Sequence, residues 1–358
     1  MTHDHKGFWR DAFTFKESVG PRVILRSLIF GVFALILSLY NATSAPDIGV
    51  DLVPIGITGC VLGLLLVFRS SAGYDRWWEG RKLWGGIVNQ SRALAVGALA
   101  YGPADRAWKE RFVRRTIAYS YATRASLRGH KHVPELAGLL GDDEARRTEA
   151  EEHMPTYILL LLARQLDDAC VRLGMDRFAY QAMDGHLSQL IDHLGGCERI
   201  ARTHLPRINI LLIRQFVTLF LLILPMGLME QFHWLWPERF PFDVLSPLVT
   251  ILVAYPILCV EQAGFELQDP FSADRLSHLP LGQITARNEA DLLALLAADL
   301  LDGYDRSPLG AADQQGPAVG ANPPAPETVG RAPQPLDADD RLAVLDPGPE
   351  ADAQAAPL

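Results

Sequence analysis

Residues 68–84 read FRSSAGYDRWWEGRKLW, and they join an apolar run to a dense cluster of charges and tryptophans. Upstream, residues 50–68 carry a single charge, Asp51, at their far end. About nineteen residues at 1.5 Å each are enough to cross a hydrocarbon core of roughly 30 Å. Downstream, Arg69, Arg76, Arg81 and Lys82 mark the cytoplasmic side by the positive-inside rule, and Trp77, Trp78 and Trp84 suit the headgroup region. The stretch therefore reads as the cytoplasmic exit of a membrane helix.

Three further runs have membrane length. With residues 50–68, the spans are placed at about 23–40, 211–229 and 244–260. Arg26 and Arg214 fall near the expected cytoplasmic ends, where long side chains reach the interface. The connections expected outside, residues 41–49 and 230–243, hold one Lys or Arg between them, Arg239. Both termini are accordingly expected in the cytoplasm. Residues 69–206 and 261–306 place apolar side chains at helical spacing among charges, which predicts a cytoplasmic helical bundle continuous with the second and third spans. Strand signals and fixed-period repeats are scarce. The expected class is an all-α integral membrane protein with its folded part at residues 1–306.

The net charge of −9 misleads if read for the whole chain. Residues 308–358 hold eight acidic and two basic residues and ten of the 24 prolines, which leaves the body near −3. Residues 307–358 bury too little apolar surface to offset their ordering entropy and are expected to be a disordered tail. No basic patch with interleaved aromatics appears outside the membrane flank, so nucleic acid is not an expected partner. Cys60, Cys170, Cys197 and Cys259 are too scattered for a metal motif and read as reduced packing thiols.

The ordered motifs resemble those of the bacterial bestrophin family. FRSSAGYDRWWEGRKLWG is similar to that family's FRNN-like step, RWWEAR core and KLWG end. Leu127-Arg128-Gly129, Cys197-Glu198-Arg199-Ile200 before Pro206, Asp269-Pro270-Phe271 and Leu279-Pro280-Leu281 follow in family order over residues 8–300. Ser70, Ser71 and Gly80 depart from the usual asparagines and alanine, and Thr203-His204-Leu205-Pro206 stands in place of a TPIP-like run. The resemblance implies a homopentameric passive ion channel of the bacterial inner membrane, in contact with lipid and monovalent ions. It implies no cofactor and no enzymatic activity. The acidic calcium clasp of the family's eukaryotic branch has no counterpart around Asp269 and Asp274, so direct calcium gating is not expected.

Within the second span, Cys60, Leu64 and Phe68 repeat at i, i+4 and i+8 on one helix face. Gly56, Gly59 and Gly63 lie on a neighbouring face, and Gly59-x-x-x-Gly63 permits close helix approach. From the residues alone, core packing and pore lining both fit the apolar face. The resemblance assigns Cys60, Leu64 and Phe68 to the family's three apolar pore rings and the glycines to packing against a neighbouring subunit.

If the helix continues past Arg69, Asp75 and Glu79 return to the Phe68 face within about 20°. They then form either acidic rings at the cytoplasmic mouth or a solvated salt-bridged face, with Lys82, at i+3 from Glu79, one candidate cation beside it. Acidic rings favour cations, whereas the family name implies chloride. His186, His193 and Cys197 share a helical stripe, which keeps a membrane-embedded metalloprotein as an alternative, and the glycine face alone keeps a non-conducting scaffold as another.

Overall fold

The computed structural model describes residues 18–43, 49–203, 206–235 and 244–302. The amino-terminal tail, most of both expected outer connections and the expected tail at 307–358 lie outside the described residues. Among the described residues all regular structure is helical: α1 Gly20–Thr43, α2 Leu52–Tyr101, α3 Arg106–Leu127, α4 Glu135–Leu140, α5 Asp142–Ala150, α6 Met154–Arg172, α7 Arg177–Arg202, α8 Arg207–Leu235, α9 Leu245–Glu266 and α10 Leu281–Asp302. Four of them, α1, α2, α8 and α9, are long and apolar enough to cross a membrane. Each matches one of the four runs read from the sequence. Pro225 and Pro256 lie inside α8 and α9, and both helices continue through them.

The second span is the first third of a single helix. α2 has 50 residues, about 75 Å at 1.5 Å per residue. Asp51 caps it, its carboxylate accepting the Val53 amide at 3.0 Å. Ser70, Ser71 and Gly73 do not interrupt the helix. Gly73 and Gly264 instead let α2 and α9 cross closely: a Cβ on Gly73 would stand 3.0 Å from the Gly264 carbonyl oxygen.

Two separate cores result. Val23, Ile55, Leu62, Leu66, Val217, Phe220, Leu221, Leu224, Ala254 and Leu258 fill the four-span bundle. Gly31 admits Ile251 where α1 meets α9. Ser27 and Thr250, buried among apolar neighbours, donate their hydroxyls to the Val23 and Ser246 carbonyls of their own helices, which satisfies them without water. The larger core joins the lower half of α2 to α3, α6, α7 and α10 around Trp84, Ile87, Phe112, Ile117, Tyr119, Leu162, Leu166 and Leu190. Its close approaches run between α2 and α7. A Cβ on Gly86 would fall 2.4 Å from His193, and one on Gly196 would fall 2.8 Å from Leu83.

Candidate functional site

The two ends of α2 differ most in what covers them. Ile55, Leu62, Leu66 and Arg69 turn inward to the other spans. On the far side, Leu64 and Phe68 are 56% and 62% exposed, and Cys60 is exposed as well. The expected apolar line is therefore continuous and uncovered within one subunit. Val53, Ile57, Val61 and Val67 are exposed too, so the bare surface extends well beyond that line.

The three glycines do not act as one face. Gly59 belongs to this subunit's own packing, since a Cβ there would meet the Phe220 ring of α8 at 3.1 Å. Gly56 and Gly63 have open space where a Cβ would go. The expectation that all three face a neighbour is corrected for Gly59: the three share a helix side, but Phe220 of α8 reaches α2 only at the level of Gly59.

Below Phe68 the unbroken helix returns Asp75 and Glu79 to the Phe68 face within about 20°. Asp75 is exposed. Glu79 meets Arg199 of α7 at 2.5 Å, so the cation beside it comes from 120 residues away and is not Lys82. This correction follows from α7 packing alongside α2, which brings Arg199 opposite Glu79.

Motifs scattered along the sequence converge just below the spans. The Arg76 guanidinium donates from Nε to the Gln268 carbonyl at 2.6 Å, and from one terminal nitrogen to the carbonyls of Ile200 and Thr203. It thus ties α2 to the final turn of α7, where carbonyls have no helical partner. Trp77 Nε1 donates to the Ser277 carbonyl at 2.7 Å. Gly80 leaves room for Pro270, whose carbonyl accepts the Leu279 amide at 2.7 Å, and Arg128 Nε donates to the Phe271 carbonyl at 3.2 Å. The RWW, LRG, DPF and LPL motifs form one joint between the spans and the lower bundle. The sequence flagged these motifs without revealing that they touch.

A second feature escaped sequence reading. Glu261 lies one turn before the end of α9, its side chain 3% exposed, and holds Arg69 at 3.1 Å and Arg214 at 2.9 Å. The Arg69 side chain is only 4% exposed. Nearby, Arg22 pairs with Glu266 at 2.5 Å, Gln262 donates to Glu266 at 2.9 Å, and Arg26 donates to Gln262 at 3.2 Å. A buried charge in an apolar bundle is tolerated only when paired, and that pairing was legible only once the partners were in place.

The histidine stripe does not assemble into a ligand set. His186 is hydrogen-bonded to Gln90 at 2.7 Å, and His193 packs against Gly86. Burial, with Glu198 and Glu79 nearby, pushes the Cys197 thiol up to about 12, where it stays protonated and ligates poorly. Among the described residues no three His, Cys, Asp or Glu side chains cluster as a metal site would require.

Four apolar helices carried on a helical bundle make the chain an integral membrane protein of the helical class. The Bacterial/Fungal Bestrophin protein family model matches residues 1–294, and the chain belongs to that family. It is 30% identical to a voltage-dependent anion channel-forming protein of a Nostoc species, over 82% of this chain and 94% of that one. The voltage-dependent anion channel-forming protein YneE of Escherichia coli is 28% identical over 80% and 90% of the two chains. A crystal structure of a bacterial bestrophin homologue from Klebsiella pneumoniae superposes with a TM-score of 0.68 at 26% identity, covering 76% of this chain and 97% of that one.

Proposed function

We propose that this chain is the subunit of a passive ion channel in which copies of α2 surround the conduction path, with Cys60, Leu64 and Phe68 as stacked apolar rings. The observation that carries the reading is the uncovered apolar line of α2, whose helix runs on without a break into a lower bundle. One subunit cannot enclose a pore with one bare face, so closed cyclic symmetry is required. Five copies is the number the family resemblance implies. Only 22% of the apolar window of α2 is buried inside the subunit, which leaves surface for neighbours as well as for a pore. Exposed Tyr101, Val171 and Phe178 offer further apolar surface for neighbours in the lower bundle. An apolar ring controls passage by width and dewetting and binds no ion, so neither cofactor nor chemistry is needed.

The relatives' names support anion conduction. A second reading, cation preference, rests on Asp75, an exposed carboxylate aligned with Phe68. Arg22, Arg26, Arg69, Arg76, Arg207 and Arg214 gather toward the bundle end of the spans, which supports a cytoplasmic bundle, cytoplasmic termini and residence in the bacterial inner membrane. Purified protein in planar bilayers under a salt gradient tests the proposal. A current with a reversal potential toward the anion equilibrium value supports the first reading, one toward the cation value supports the second, and an electrically silent but correctly assembled oligomer overturns both.

A further inference from the structure

A cavity of about 350 Å³ opens between α1, α8 and α9. It is lined by Arg26, Ile29, Phe30, Arg214, Val217 and Glu261 among others, and by no residue of α2. It therefore lies off the helix that carries the proposed pore. Arg26 is six residues into α1 and Arg214 seven residues into α8, about 10 Å above the helix ends. In the spans read from the sequence, which begin at about residues 23 and 211, both arginines stand about one turn in, where long side chains reach the headgroups. Ile29 and Thr218, both exposed, border the opening.

The charges around the cavity do not balance. Among the described residues, Arg22, Arg26, Arg69 and Arg214 face two carboxylates, Glu261 and Glu266. Glu261 is shared between Arg69 and Arg214, and among the described residues Arg26 donates to the amide oxygen of Gln262 and pairs with no carboxylate. The charged side chains that line the pocket, Arg26, Arg214 and Glu261, leave its polar end net positive against otherwise mostly apolar walls. We propose that this cavity binds an anionic phospholipid of the cytoplasmic leaflet, with Arg26 and Arg214 on the phosphate and the acyl chains along Ile29, Phe30 and Val217. Guanidinium groups match phosphate oxygens in geometry and charge, and basic pockets between spans on this side of a bilayer suit acidic headgroups. A neutral zwitterionic lipid leaves the excess charge uncompensated.

The test is native mass spectrometry of the full chain, stripped of lipid in detergent and titrated with dioleoylphosphatidylglycerol or dioleoylphosphatidylcholine. The wild-type oligomer should hold phosphatidylglycerol at up to one molecule per subunit, in clear preference to phosphatidylcholine. Arg26→Gln and Arg214→Gln should each weaken retention by roughly tenfold or more, the size expected for loss of a charge-assisted hydrogen bond. Ile29→Trp removes no charge but fills the cavity mouth, and it should displace the lipid from an oligomer of unchanged mass. If the arginine variants fail to assemble, Ile29→Trp decides the question. Equal retention of the two lipids, or retention unaffected by Ile29→Trp, overturns the proposal. Inorganic phosphate displacing the lipid at similar concentration also overturns it, because the site then reads free phosphate. An assembled wild-type oligomer that takes up no lipid assigns the cavity to a neighbouring subunit instead. The readout is bound lipid and not current, so its failure leaves the channel reading untouched.

Discussion

The two halves of α2 are one helix in two environments. Below the membrane, Trp84, Ile87, Leu94, Ala95 and Ala98 are fully buried by α3, α7 and α10 of the same subunit. In the spanning part only the Ile55, Leu62 and Leu66 side is covered, and Leu64 and Phe68 on the opposite side stay bare. The lower half has a core built by its own subunit, with single apolar side chains such as Tyr101 left exposed, whereas the upper half needs lipid, neighbours or a pore to finish it. Substitutions in the lower half should therefore act on folding, and those on the bare upper face should act on assembly and conduction.

The largest effect should come from Trp84→Ala. Removing a fully buried indole typically costs about 3–5 kcal/mol through lost transfer energy and the cavity left behind. A clear drop in the thermal transition of the detergent-solubilised protein is expected. A transition within a degree or two of wild type would mean the lower half is not the stable partner described here.

Next in size is the buried ion network at the seam between the halves. Glu261→Ala leaves Arg69 almost fully buried and without a counter-ion, a change of the kind that costs roughly 3–5 kcal/mol. Arg69→Met should cost less, because Glu261 keeps Arg214 and the methionine refills part of the volume. Comparing the oligomer yield of the two variants checks the order. If Arg69→Met is the worse of the two, the carboxylate is not the buried charge that needs partners.

Smaller still for stability, but not for function, are changes on the bare face. Leu64→Ala and Phe68→Ala remove side chains that are more than half exposed in the subunit, so the thermal transition should barely move while single-channel conductance rises. The cysteines sharpen the same contrast. Cys60 is exposed and should react with a water-soluble thiol reagent and lose current, whereas Cys197 is buried and its thiol is pushed up to about 12. Unaltered conductance in both alanine variants, with Cys60 unreactive, would place this face against lipid or protein.

What could be read in advance divides along the same line. The spans were legible because crossing a bilayer imposes a length and a composition on each helix by itself. The apolar line at Cys60, Leu64 and Phe68 was legible because helical periodicity is local. Continuity through Ser70, Ser71 and Gly73 was not, since small and polar residues there read equally as a break or as a close crossing, and the answer lay with Gly264 on another span. The partner of Glu79 escaped the sequence for a related reason. Local spacing offers Lys82, and only the packing of α7 on α2 brings Arg199 closer. Glu261 was silent in the sequence because a lone carboxylate near a span end acquires meaning only from arginines on two other helices.

The smallest expected effect is on charge selectivity, and it tests whether the two halves of α2 share one conduction path. Glu79 and Arg199 are both substantially exposed, so their ion pair is worth at most about 1 kcal/mol and partly cancels the Glu79 charge. Asp75 then supplies most of the negative potential on the line below Phe68. Asp75→Asn should shift the reversal potential toward anions more than Glu79→Gln does, with both shifts larger in dilute salt, because screening acts over about 8 Å at physiological ionic strength. Arg199→Gln provides the opposite sign: it frees the Glu79 carboxylate and should move the potential toward cations. If Asp75→Asn and Arg199→Gln both leave the reversal potential unchanged in an intact oligomer, ions leave the α2 line at Phe68, and the lower half serves only to hold the upper half in place.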